Sequence, residues 1–347
     1  MALKDIIGHD RALNILKGCI RKERIPHAFL FAGDEGIGKR LAAVNFAKAL
    51  NCLGTAGSDD LFSFGGEAWG SADIDGTDAC DKCPSCLKTD SGNHPDFYLI
   101  GPEGDGGQIT VAAVRGLQES LSYKPFEGRW KVAVVDNADR LNQSAANAFL
   151  QTLEEPSDQS ILVLVSSRPE MVLPTIRSRC QRINFTPLPV DTMSSLLEEK
   201  FGKTVRGQAV LLSMLSGGRL GHALDDSMIP QRDRSFDVFR QMLGSPEEDV
   251  WDSREDMEQW FDWGQLWLRD IAVFKAAGQA GLLINQDKIN EIKEISGRAA
   301  LADILKLARE LYNIRGRLFF NLNKQITLNY TSLLMRKMLG KTNVREQ

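Results

Sequence analysis

The run Ala28-Phe29-Leu30-Phe31-Ala32 leads directly into Gly33-Asp34-Glu35-Gly36-Ile37-Gly38-Lys39-Arg40. Five consecutive apolar residues predict a strand buried on both faces. Beyond Lys39, Leu41, Val44, Ala47 and Leu50 recur at helical spacing. A glycine-rich turn between strand and helix is the setting of a phosphate-binding loop. Glycines let successive backbone N–H groups curl around phosphate oxygens, and the helix N-terminus adds positive potential. Gly33, Gly36, Gly38 and Lys39 are the candidate phosphate contacts, with Lys39 reaching the β/γ-phosphates. Without a ligand the same stretch is a glycine turn joining a strand to a helix.

Four more short apolar runs, residues 97–100, 132–135, 161–165 and 183–185, predict further buried strands. Helical patterns separate most of them, as in Ala145, Ala148, Phe149, Thr152 and Leu153. Strands alternating with helices predict an α/β unit built on a parallel sheet. Pro187-Leu188-Pro189 ends the alternation, and from Val190 to Gln347 the pattern is helical, with breaks at Gly217-Gly218 and at residues 244–248. Three units are expected: an α/β unit over 1–186, a small helical unit over 187–235 and a larger helical unit over 236–347.

Two catalytic positions are altered. A working phosphate loop follows its lysine with Ser or Thr, whose hydroxyl holds Mg²⁺. Here that position is Arg40, and a guanidinium cannot ligate a cation. Val132-Ala133-Val134-Val135-Asp136 ends in a carboxylate suited to Mg²⁺, but the next residue is Asn137, not a Glu able to activate water. Asp139 is expected to point elsewhere. Asp136 is therefore an incomplete Walker B acid and hydrolysis is not expected. ATP binding is doubtful on the same grounds, although contact through backbone amides and Lys39 stays open.

Cys80-x₂-Cys83-x₂-Cys86 sets three thiols within seven residues, and Cys52 ends the helix after the glycine loop. Four thiolates suit tetrahedral Zn²⁺ in a closed, structural site. His94 is a reserve nitrogen ligand, and an iron–sulfur cluster is the other reading. Cys19 and Cys180 need no special role; Cys19 reads as core. Residues 53–79 hold six glycines and six acids with no Lys or Arg, a composition that predicts an exposed, mobile loop.

The whole chain has 347 residues, 43% apolar and 25% charged, with a net charge of −4. This balance fits a soluble globular protein and argues against a basic DNA-coating one. The six acids of residues 53–79 exceed that net charge, so the remainder is slightly basic. Six cysteines are too few for a disulfide scaffold. No apolar run is long enough to span a membrane, and no secretory leader is evident at Met1. A cytoplasmic protein with reduced thiols is expected. Pro174-Thr175-Ile176-Arg177-Ser178-Arg179-Cys180 places two arginines beside a chain reversal. Trp260, Trp263, Trp267, Ile271 and Phe274 share one helix face, which reads as packing.

Ile7-Gly8-His9, residues 25–31, His94-Pro95-Asp96, residues 142–156 ending Leu-Glu-Glu-Pro, Ser178-Arg179-Cys180 and Asn321-Leu322-Asn323-Lys324-Gln325 together carry a resemblance. The chain resembles the AAA+ clamp loaders of bacterial DNA polymerase III, and its stator subunit more than its motors. The resemblance is dense over residues 1–186 and thinner beyond. It implies an AAA+ phosphate-loop domain with a zinc module at about residues 52–86, then a helical lid and an all-α collar. It also implies a non-hydrolysing stator, with Arg179 acting as an arginine finger in trans on a neighbour's ATP. The implied zinc ligands are Cys52, Cys80, Cys83 and Cys86. The motors' sensor arginine has no certain counterpart, because Gly221 stands at its place and Arg219 is two residues away. Implied partners are the gamma or tau ATPases, a delta subunit, the sliding clamp and primer-template DNA, in a hetero-oligomer that loads the clamp during replication. Two alternatives stand beside this: an active gamma/tau-like ATPase, and a zinc-containing DNA-binding module.

Overall fold

A computed structural model describes residues 1–54, 76–103, 107–205, 207–244, 250–318 and 322–340. Most of the acidic stretch, Asn321 of the closing motif and residues 245–249 of the expected break lie outside them. The chain divides into two compact units, Met1–Pro189 with Gly217–Gly221, and Val190–Ser216 with His222–Gln347.

The first unit is built on five parallel strands, β1 (Ala28–Ala32), β2 (Phe97–Ile100), β3 (Lys131–Val135), β4 (Ser160–Ser166) and β5 (Gln181–Asn184), in the order β2-β3-β4-β1-β5. All five expected strands form. The last begins earlier than the apolar run because Phe29 already pairs with Gln181. Among the described residues, six helices accompany the sheet: α1 (Asp10–Arg21), α2 (Lys39–Asn51), α3 (Pro84–Asp90), α4 (Val111–Ser122), α5 (Gln143–Glu154) and α6 (Pro174–Arg177).

Strand side chains alternate between faces, so β1 feeds two cores. Phe29 and Phe31 join Leu13, Leu16, Ala43 and Phe46 from α1 and α2. Ala28 and Leu30 join Val114, Leu117, Ala145 and Phe149 from α4 and α5. Cys19, expected in the core, is only half-buried against the first of these. The Asn142 side chain accepts a hydrogen bond from Ala145 N at 2.8 Å and starts α5; such caps contribute about 1 kcal/mol. Gly217 and Gly218 both take positive φ, so the helical pattern breaks there as expected. Leu188 N donates to Gly218 O at 2.9 Å and ties that turn to the first unit.

The second unit is helical throughout its described residues: α7 (Val190–Val205), α8 (Ala209–Ser216), the single turn α9 (Leu220–Ala223, whose first two residues belong to the first unit), α10 (Met228–Leu243), α11 (Arg254–Ala277), α12 (Ile289–Arg298), α13 (Leu301–Arg317) and α14 (Lys324–Leu339). Ser253 and Asp256 form a reciprocal capping box at the start of α11. The tryptophan face of α11 is core: Trp260, Trp267 and Ile271 are buried with Ile304, Leu307 and Leu311 of α13. The buried indole of Trp260 donates to Ser235 O at 3.2 Å. No helix among the described residues is long and apolar enough to cross a membrane.

Candidate functional site

The four cysteines come together. Cys52 caps the C-terminus of α2, Cys83 caps the N-terminus of α3, and Cys86 lies in its first turn. All four Sγ atoms lie within 4.8 Å of one another, and Cys80 Sγ is 3.9 Å from Cys86 Sγ. A tetrahedral zinc with Zn–S bonds near 2.3 Å needs sulfurs about 3.8 Å apart, so the donor set fits. Backbone amides aim at the sulfurs as they would at thiolates. Cys80 N donates to Cys52 Sγ and Cys83 N to Cys80 Sγ, each at 3.3 Å. Hydrogen bonds from Cys52 and Cys86 pull the Cys83 thiol well down. The bonds Cys86 makes to Cys52 and Cys83 push it up. Cys52 is pushed up to about 12, chiefly by its bond with Cys83. One negative sulfur among close neighbours raises the cost of the next, which a divalent cation would remove.

His94 is not part of this cluster. Its Nε2 lies 3.1 Å from Ser85 Oγ, and its Nδ1 accepts from Asp96 N at 3.1 Å. The ring is occupied in holding α3 and the turn before β2. Cys180 is also outside the cluster, with its thiol pushed up to about 12 by burial.

Sequence reasoning missed the support beneath the cysteines. Lys48 is fully buried in α2. Its ammonium donates to Asp81 at 2.5 Å, to both oxygens of Asp90 at 2.8 Å and to Met1 O at 2.8 Å. Burial alone would lower its pKa, but the bonds to Asp81 and Asp90 outweigh that and raise it. The Met1 amine sits 3.1 Å from Asp81, and the Asp78 carboxylate accepts from Leu3 N and Lys4 N at 2.8 Å. Ala2 is buried among the cysteines. The chain's first residues are thus part of the cysteine module. The available signal was a lysine set within the apolar run Phe46–Leu50 of α2.

The glycine loop has the expected strand–turn–helix setting. A Cβ on Gly33 would lie 2.3 Å from Phe185 O at φ +152°, so glycine is required there. Gly38 precedes α2 at φ +96°. Lys39 is the first residue of that helix and is buried, and its Nζ donates to Asp34 O at 2.5 Å, within the loop itself. Burial lowers its pKa, partly offset by Asp136. Arg40 Nη1 lies 3.6 Å from Asp136 Oδ2, so a guanidinium stands beside the carboxylate that a metal would use. Asn137 is left-handed at φ 52°, and its N–H donates to Asp136 Oδ1 at 3.1 Å. Asp139 does point elsewhere: it accepts from Ser166 Oγ at 2.7 Å and from Arg168. Gly221 N donates to Gly36 O at 3.0 Å, and a Cβ at Gly221 would lie 2.9 Å from that oxygen. Gly221, which stands where the resemblance would put the motors' sensor arginine, is therefore backbone pressed on the loop.

Arg179 follows α6. Its Nη2 donates to Glu154 Oε1 at 2.7 Å and its Nη1 to Thr175 O at 3.0 Å. Arg177 differs, with its Nε buried and without a hydrogen-bond partner.

Comparison with known proteins bears directly on this geometry. A family model described as DNA polymerase III, delta subunit, matches residues 8–189, and one for that subunit's C-terminal part matches residues 249–336. The DNA polymerase III subunit delta′ of Bacillus subtilis is 27% identical over 338 residues, covering 94% of this chain and 96% of its own. The delta′ subunit of Pseudomonas aeruginosa is 36% identical over 163 residues, covering 47% of this chain and 44% of its own. Among solved structures, a gamma subunit-related protein of Thermotoga maritima aligns at TM-score 0.43 and 17% identity, covering 93% of this chain and 99% of that one. With family models on both units and a delta′ alignment running nearly end to end, the chain belongs to the delta-prime family of DNA polymerase III clamp-loader subunits.

Proposed function

We propose that this chain is the non-hydrolysing stator of a clamp-loading ring and supplies Arg179 in trans to the ATP of a neighbouring gamma or tau subunit. The carrying observation is Arg40 at 3.6 Å from Asp136. A fixed cation replaces the exchangeable one, and no carboxylate follows Asp136 to activate water. Metal-assisted phosphoryl transfer needs both the metal and the positioned water. Arg179 lies on the surface and carries a charge that would offset the charge building on a transferring phosphoryl group. Cys52, Cys80, Cys83 and Cys86 would hold a structural zinc, which stiffens the joint between α2 and α3. Residues 187–235 would serve as lid and 236–347 as collar, alongside a delta subunit, the sliding clamp and primer-template DNA.

The test is ATP turnover by the purified single chain with Mg²⁺. Turnover at the level of background is expected; a robust rate that Lys39→Ala abolishes would overturn the stator reading. In the reconstituted complex, Arg179→Ala is expected to lower the ATPase at least tenfold while leaving folding and zinc content intact.

A further inference from the structure

Glu154 is the last residue of α5 and opens the Glu-Glu-Pro end of that helix. A carboxylate at a helix C-terminus sits at the negative end of the macrodipole, where acids are disfavoured. Its own helix therefore gives no reason for it. What it contacts is the guanidinium of Arg179, at 2.7 Å. The second arm of that guanidinium is bonded to Thr175 O at 3.0 Å. The side chain of Arg179 is thus folded back on its own subunit at both terminal nitrogens.

The pair is also easily broken. Arg179 is 37% and Glu154 53% exposed. Ion pairs this open to water are weak, and they exchange partners readily. A buried pair would fix the arginine permanently; this one leaves it available to a stronger anion.

We propose that Glu154 is a positioning residue that holds Arg179 in reserve. The carboxylate competes with the phosphates of the neighbouring subunit's ATP for the same guanidinium. The finger engages when a polyphosphate, with greater charge and more acceptor oxygens, is brought within reach. This rests on the reading of Arg179 as a finger acting in trans.

The experiment uses the complex reconstituted with gamma or tau and delta subunits, measuring steady-state ATPase at saturating ATP without clamp or DNA. Glu154→Gln keeps the size of the side chain and removes its charge. It is expected to raise the rate roughly two- to fivefold, the range set by an exposed pair. The double variant Glu154→Gln/Arg179→Ala is expected to match Arg179→Ala alone, because the carboxylate acts only through the arginine. A merely structural role for Glu154 would lower the rate and add to the loss from Arg179→Ala. A Glu154→Gln rate equal to or below that of the unaltered complex overturns the proposal while Arg179→Ala still impairs turnover. If Arg179→Ala itself leaves the rate unchanged, the finger reading fails, and the proposal with it. Equal thermal midpoints for the isolated chain and its Glu154→Gln variant exclude misfolding as the cause.

Discussion

Lys48 shows how much one side chain can decide. A buried ammonium is costly unless its donors are satisfied, and here two carboxylates and a backbone carbonyl satisfy them. Lys48→Met keeps most of the volume but removes the ammonium from Asp90 and leaves Asp81 only the Met1 amine. With both carboxylates partly open to water, it is expected to cost about 2 kcal/mol, read from urea unfolding; a loss below about 1 kcal/mol would place the tie among ordinary surface pairs. His9 offers a pH-dependent counterpart. Burial lowers its pKa, and the hydrogen bond to Ile37 O at 2.7 Å offsets this in part. A histidine with a depressed folded pKa contributes stability above its unfolded value near 6.5, lost as pH falls through the folded value. Unfolding midpoints measured from pH 7.5 to 5 should fall more steeply for the unaltered chain than for His9→Gln. Parallel slopes would remove His9 from the account.

At the scale of elements, α3 is the most dependent part of the first unit. Seven residues cannot hold a helix in water without help. Its N-terminus is held by Cys83 and Cys86, and Ser85 Oγ donates to Asn51 O at 2.8 Å. On the proposed function a metal would supply the remaining constraint, and about one zinc per chain is expected. Chelation should speed amide exchange across Pro84–Asp90 by about tenfold or more while β1 and β4 stay protected. Unchanged exchange after complete zinc removal would show that protein contacts alone hold the module. The glycine loop is the opposite case. Its shape survives because Gly33 packs against Phe185 O and Gly36 accepts from Gly221 N, contacts independent of any nucleotide. The loop therefore holds its form with Arg40 after the lysine and Asn137 after Asp136.

For the molecule as a whole, the second unit does not bury all of its apolar surface. The tryptophans of the second unit face inward, but Ile326, Tyr330 and Leu333 stand exposed along α14 at spacings of four and three. On the proposed function, such a row would suit contact with a neighbouring subunit of the ring. Leu333→Asp is expected to change the isolated chain's stability by no more than about 0.5 kcal/mol, as exposed sites do. Co-elution with gamma or tau and delta subunits should fall at least tenfold in apparent affinity. Unchanged co-elution would place the ring contact on another face.

Local order in the chain already carried the fold class and the cysteine set. Strand burial, helical spacing and the C-x₂-C-x₂-C run are set over a few residues, where periodicity and turn chemistry act directly. The same is true of Arg40 and Asn137, since the loss of a hydroxyl and a carboxylate is visible in the letters alone. Tertiary structure decided what those residues touch. The strand order, the Lys48 tie to Asp81 and Asp90, Arg40 against Asp136 and Arg179 against Glu154 all join positions 25 or more apart. Such pairings depend on how the sheet and its helices pack, and no local pattern encodes which of many charged side chains will meet.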